Sequence, residues 1–171
     1  MHLVRSKMTC SDSSRTRSRD KFYVWFFVFH ILFALLIDTA TIFPEHWLFG
    51  FQQKLVRVHF AINKDFLLEN APRWLRTFIT VEVFFCSPLF IWAIIDLRAN
   101  RSRVWPAILA YSGISAPTTV ACLVEVGAAP FLTIPEKIQL MSTYAPFLII
   151  PLYMMFDFYF RIANALKTKL D

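Results

Sequence analysis

A chain of 171 residues that is 57% hydrophobic and 17% aromatic carries more apolar side chain than a small domain can bury, which excludes a free-standing soluble protein. Its net charge of +6 is accounted for by topology and by contact with anionic lipid headgroups, so membrane lipids are expected partners and nucleic acid is not. Cys10, Cys86 and Cys122 lack metal-ligand spacing and His2, His30, His46 and His59 are scattered, so no metal, cofactor or disulfide framework is expected.

Residues 1–21 read as a basic, serine-rich, disordered arm. Four apolar segments follow, at about 22–43, 77–97, 104–124 and 138–162. Each approaches or exceeds the ~20 residues that cross a ~30 Å hydrocarbon core. Each must be helical, because backbone groups in lipid need partners within their own segment. The first is too long for an ordinary cleavable signal and reads as a retained anchor. The expected fold is therefore an all-α membrane protein, a four-transmembrane-helix bundle over 22–163 with a tail at 164–171.

Charge sets the expected orientation. Arg5, Lys7, Arg15, Arg17, Arg19 and Lys21 precede the first span; Arg98, Arg101 and Arg103 join the second to the third; Arg161, Lys167 and Lys169 follow the fourth. The positive-inside rule makes this side, and both termini, cytosolic. The lumenal connection at 44–75 reads as a helix lying on the bilayer surface and roofing the bundle, with Trp47 and Trp74 in the aromatic belt and Asp65 as a turn or cap residue.

Two acids interrupt the spans. A central Asp costs roughly 2.5–3.5 kcal/mol on insertion scales, so an intramembrane acid marks a site. Asp38 lies five residues before the lumenal end of the first span, and Glu82 five residues beyond the lumenal start of the second. At 1.5 Å per residue both sit ~7–8 Å below one surface, where antiparallel neighbours bring them together with one shared proton. One negative charge in an apolar chamber suits an amphiphile with an ammonium group and a greasy body. Pro88, Pro117, Pro146 and Pro151 each remove a helical hydrogen bond and bend the spans around that chamber. His30 shares a face with Asp38, and Thr118, Thr119 and Tyr144 sit at depths that line the cavity. Asp157 and Arg161, one turn apart, read as interfacial structure.

From His30 through Asp38 to Pro44, Lys64-Asp65 with Leu67-Leu68, Pro72 with Trp74, Glu82 to Pro88, and Tyr144-Ala145-Pro146 through Pro151, the chain resembles the EXPERA family. That family includes the sigma-2 receptors and the emopamil-binding sterol isomerases. The resemblance implies a ligand site centred on Asp38 and Glu82, facing a pocket that opens from the membrane to sterols and cationic amphiphiles. It also places Cys86 and Phe147 at the site. Cys86 stands where the sigma-2 receptors have a glutamine. The isomerases match at His30 and Glu82 but carry a second acid where this chain has Ala34, and their fourth-span Asn and Trp correspond to Tyr144 and Phe147. The catalytic set is incomplete, so binding without turnover is expected, with no catalytic residue.

The expected function is binding of sterol or a cationic amphiphile and regulation of sterol trafficking. A sterol isomerase using Asp38, or a membrane quality-control or trafficking adaptor, are the alternatives. A sterol-transport membrane protein and a homodimer are the protein partners left open. Lys167 and Lys169 resemble an endoplasmic reticulum retrieval signal.

Overall fold

The computed structural model describes residues 10–170, and among these every regular element is helical. Four helical stretches are long and apolar enough to cross a membrane: Thr16–Ile42, Arg73–Arg98, Ser102–Ala128 and Ile134–Thr168. Helix α1 (Cys10–Phe33) continues through a π-helical turn (Ala34–Asp38) into α2 (Thr39–Ile42), completing the first span. On the far side, α3 (Gly50–Asn63) and α4 (Phe66–Asn70) form the connection. The second span is α5 (Arg73–Val81), a second π-helical turn (Glu82–Cys86) and α6 (Ser87–Arg98). The third is α7 (Trp105–Ala128) and the fourth α8 (Ile134–Leu170). The start of the first span and the end of the fourth lie at one end of the bundle, here called the terminal face.

The arm expected to be disordered is helical from Cys10 onward, and residues 1–9 lie outside the described part. Partners on α8 explain the difference. Arg19 pairs with Asp157, Tyr23 donates to Asp157 at 2.9 Å, and Arg161 holds Asp20 at 2.6 Å and Asp157 at 2.6 Å. The Asp157 and Arg161 pair is thus part of a larger buried network that ties the first helix to the last, with the Arg161 guanidinium also 4.7 Å from the Phe158 ring. Likewise, the tail from 164 continues α8 rather than leaving it.

At the same end, α6 stops at Ala99 with Asn100 in the left-handed region (φ 52). The Arg101 and Asn100 amides cap the carbonyls of Asp96 and Leu97, closing a Schellman-type turn. Fully buried Asp96 accepts from Trp92 at 2.8 Å and from Arg103 at 2.6 and 2.9 Å, which fixes the short connection to α7.

Two apolar cores result. One, near the terminal face, is built from Tyr23, Phe27, Phe90, Ile108, Met154 and Phe158. The other, toward the loops, is built from Ile37, Val56, Leu67, Ile79, Val126 and Leu140. Helix α3 lies over that second core as expected. It buries Gln52 and Val56 and leaves Phe51, Leu55, Val58 and Ile62 exposed, a face suited to the bilayer interface. Trp47 is exposed beside it, whereas Trp74 packs partly into the core.

Candidate functional site

Asp38 and Glu82 each sit in one of the two π-helical turns, which pack against each other. The turn before α6 has a local cause. Pro88 has no N–H to give the carbonyl of Phe84, and the Ser87 amide reaches back five residues to the carbonyl of Glu82. The first turn holds no proline. There the Thr39 amide reaches the carbonyl of Ala34, and the Leu35 carbonyl accepts from Thr39 Oγ1 at 2.7 Å and from Gln52 Nε2 at 3.0 Å. Gln52 also donates to Thr39 Oγ1 at 2.7 Å, so the roofing helix holds the widened turn that carries Asp38.

Between the two cores lies a chamber with an open volume of about 80 Å³. Its wall brings together most of the residues singled out from the sequence: His30, Asp38, Glu82, Thr118, Thr119, Tyr144 and Phe147. Cys86 is the exception. It lines a neighbouring hollow of about 260 Å³ with Val81, Tyr111 and Ile114, because in the widened turn a residue four on from Glu82 no longer falls directly beneath it. Glu82, Phe78, Ser115 and Thr118 border both spaces.

The wall holds a third acid, Asp65, that the sequence marks only as a turn or cap residue. Asp65 does cap α4, accepting from the Leu68 amide at 3.2 Å, but it is also fully buried. Tyr144 Oη lies 3.1 Å from both of its oxygens and His59 Nε2 lies 3.1 Å from one. Lys64, at φ 50, turns the chain inward just before it. The adjoining Phe66-Leu67-Leu68 run was the available signal, since three apolar residues after an acid bury the segment that carries it.

The three carboxyl groups differ in their partners. Glu82 is bound by His30 Nε2, and Tyr111 Oη lies 3.1 Å from His30 Nδ1. With Glu82 ionised, Nε2–H donates to it and Nδ1 accepts from the tyrosine. Phe90 and Phe147 pack on the imidazole at 4.8 and 4.7 Å. Asp65 is saturated as described. The carboxylate of Asp38, buried and on the chamber wall, accepts no hydrogen bond from another described residue, although the Asp38 carbonyl accepts from Thr41 Oγ1 at 2.7 Å; the charges of Glu82 and Asp65 both act on the carboxylate.

The hydroxyls of the third span are engaged in structure. Thr118 and Thr119 donate to the Ser115 carbonyl at 2.8 and 2.9 Å. The carbonyl of Phe147, which Pro151 leaves without a helical donor, accepts from Ser115 at 3.3 Å and Thr119 at 3.2 Å across the α7–α8 interface. Pro117, Pro146 and Pro151 lie within unbroken helices.

Residues 51–158 match the EXPERA domain, the expanded EBP superfamily. The chain belongs to the EXPERA superfamily. Among curated EXPERA-like relatives, Efficient mitochondria targeting-associated protein 19 of Saccharomyces cerevisiae is 34% identical over 152 residues, covering 80% of this chain and 94% of the yeast protein. The protein of that name from Schizosaccharomyces pombe is 32% identical over 151 residues, 85% of this chain and 78% of its own. Sigma intracellular receptor 2 of Xenopus tropicalis is 27% identical over 151 residues, 81% of this chain and 87% of the receptor. The matched region takes in the second and third spans and most of the fourth, and includes Asp65, Glu82 and the α7–α8 wall. Asp38 lies before it.

Proposed function

We propose that this EXPERA protein binds a sterol or a cationic amphiphile in the chamber between its two cores and acts in intracellular sterol handling. The observation that carries the reading is the division among three converging acids. Glu82 and Asp65 have partners of their own, so the unpaired Asp38 is the counter-ion for a ligand ammonium. Phe33 and Phe147 supply aromatic faces for the charged end and apolar surface for the body.

A drug-sized ligand fills several hundred Å³, so the chamber widens on binding. The hollow beyond Glu82, lined by the lipid-facing Val81 and Ile114, supports entry from the bilayer between the second and third spans. Ala34 in place of an acid and Phe147 in place of a polar charge stabiliser support binding without isomerisation. We infer an intracellular membrane, with the endoplasmic reticulum the compartment to image first. The word intracellular in the name of the vertebrate relatives supports the first half of that statement.

Small molecules that co-purify with the wild-type chain and with Asp38→Asn, identified by mass spectrometry, test the reading. A sterol or amphiphile enriched on both proteins, with cationic species lost from the variant, supports it. Equal, background-level lipid on both would remove it.

A second reading has the fungal relatives behind it: participation in mitochondrial targeting, as their name states. It is separable from the first. If import of a mitochondrial precursor, impaired when the chain is deleted, is restored by wild-type and Asp38→Asn alike, targeting does not use the chamber charge.

A further inference from the structure

A groove between α1 and α6 opens at the terminal face and shares no lining residue with the acid chamber; its open volume is about 410 Å³. Its residues fall into two tiers. On α1, Arg17, Lys21, Val24 and Val28 follow one another at helical spacing down a single face, so the cations lie at the end of the bundle and the valines deeper. From Lys21 to Val28 the axis descends about 10 Å. Helix α6 repeats the order, with Arg98 at its end and Leu97 and Ile94 below.

Among the described residues, the cations of the upper tier have no side-chain partner. Arg17, Lys21 and Arg98 are exposed and make no ion pair or hydrogen bond with another described residue. This sets them apart from Arg19, Arg101, Arg103 and Arg161, which are committed to Asp157, Asp96 or Asp20. Asp20 also borders the groove, but its carboxylate is held by Arg161 at 2.6 Å and is neutralised from behind. The side of the groove that meets a ligand therefore carries an excess of positive charge. Asn100 stands at the rim.

We propose that this groove is a binding site for an anionic phospholipid, with the phosphodiester among Arg17, Lys21 and Arg98 and the start of one acyl chain along Val24, Val28, Ile94 and Leu97. A soluble anion satisfies only the upper tier and a neutral lipid only the lower. An anionic lipid satisfies both, and its headgroup lies at the depth where the helices place their cations. Trp25, exposed beside the valines, adds an interfacial aromatic at the same level.

The test uses the full chain reconstituted in nanodiscs of phosphatidylcholine with a minor share of phosphatidylserine, released for native mass spectrometry to count retained lipids. The wild type is expected to retain phosphatidylserine above its share of the bilayer. Lys21→Gln with Arg98→Gln removes two exposed charges and should lower that enrichment on the order of tenfold. Lys167→Gln with Lys169→Gln removes the same charge from the last turns of the chain and should change it by less than about twofold. Val28→Trp fills the lower tier with every cation in place and should also abolish enrichment. It is scored at unchanged melting temperature, with Val24→Trp substituted if it melts early.

Equal losses from the two lysine-containing pairs, or full enrichment in the tryptophan variant, would reduce the groove to diffuse surface attraction and overturn the proposal. Displacement of phosphatidylserine by soluble glycerophosphoserine at matching concentration would overturn it too, because the site would then recognise an anion and no chain.

Discussion

His30 and Glu82 meet through the imidazole Nε2 and a carboxylate oxygen, although 52 positions separate them in sequence. The contact joins the first span to the π-helical turn of the second and occupies one of the membrane acids with a protein partner. Asp38 has no such partner. A pair of carboxylates sharing one proton is therefore a less complete description than a histidine-held Glu82 facing an Asp38 with no such partner, with Asp65 held by Tyr144 behind them.

The Phe147 carbonyl gives a test of packing that is independent of ligand. Ser115→Ala with Thr119→Val removes both of its donors and leaves a carbonyl unsatisfied in the interior. An unmade buried hydrogen bond costs about 1–3 kcal/mol, so the variant should melt lower in detergent. Replacing Pro151 with Ala in that background returns a helical donor and should recover part of the loss.

Arg161 is the keystone of the network between α1 and α8. Arg161→Met leaves the Asp20 carboxylate with no ion-pair or hydrogen-bond partner among the described residues and Asp157 with fewer, both buried. Breaking a buried ion pair from one side costs about 3–5 kcal/mol, which should appear as a large fall in melting temperature. Adding Asp20→Asn should recover some of it, and absence of that recovery would mean that Asp20 gains nothing from the arginine.

How much of this was legible in the chain depends on which interaction decides each feature. Span number and the roofing helix follow from apolar length and periodicity, which composition carries directly. His30, Asp38, Glu82 and Tyr144 were found because a polar group at membrane depth is costly enough to stand out. Asp65 reads only as a turn or cap residue, since its depth is set by a fold of the connection and not by its own surroundings in sequence. The π-helical turn at Ala34–Asp38 has no proline to announce it; its support comes from Gln52 on another helix. The arm residues Arg19 and Asp20 looked solvated because their partners lie on α8, far away in sequence.

Orientation is open to a direct test. If the basic side faces the cytosol, tags at either terminus are cleaved by protease added to sealed microsomes, and a tag placed between the exposed His46 and Trp47 is protected. Protection of the terminal tags reverses the assignment.

The route past Glu82 predicts a kinetic effect without a large thermodynamic one. Ile114→Trp crowds the hollow between the second and third spans while leaving the chamber wall unchanged. Association of a cationic amphiphile should slow several-fold, dissociation should slow with it, and the equilibrium constant should move little. Unchanged rates would place the entrance elsewhere.

Equilibrium binding of a cationic amphiphile and a neutral sterol to wild type, Asp38→Asn and Glu82→Gln across pH tests the central claim most directly. Charge-assisted hydrogen bonds contribute about 1.5–3 kcal/mol, so Asp38→Asn should weaken the cation by roughly tenfold or more and the sterol much less. Glu82→Gln keeps an oxygen for His30 Nε2 and should cost the cation less than the asparagine does. Acidification protonates the carboxyl that the cation needs, so cation affinity should fall as pH falls in the wild type, while sterol affinity should hold. Equal and small effects of Asp38→Asn on both ligands, with no pH dependence for either, would contradict the account and leave Asp38 a structural residue.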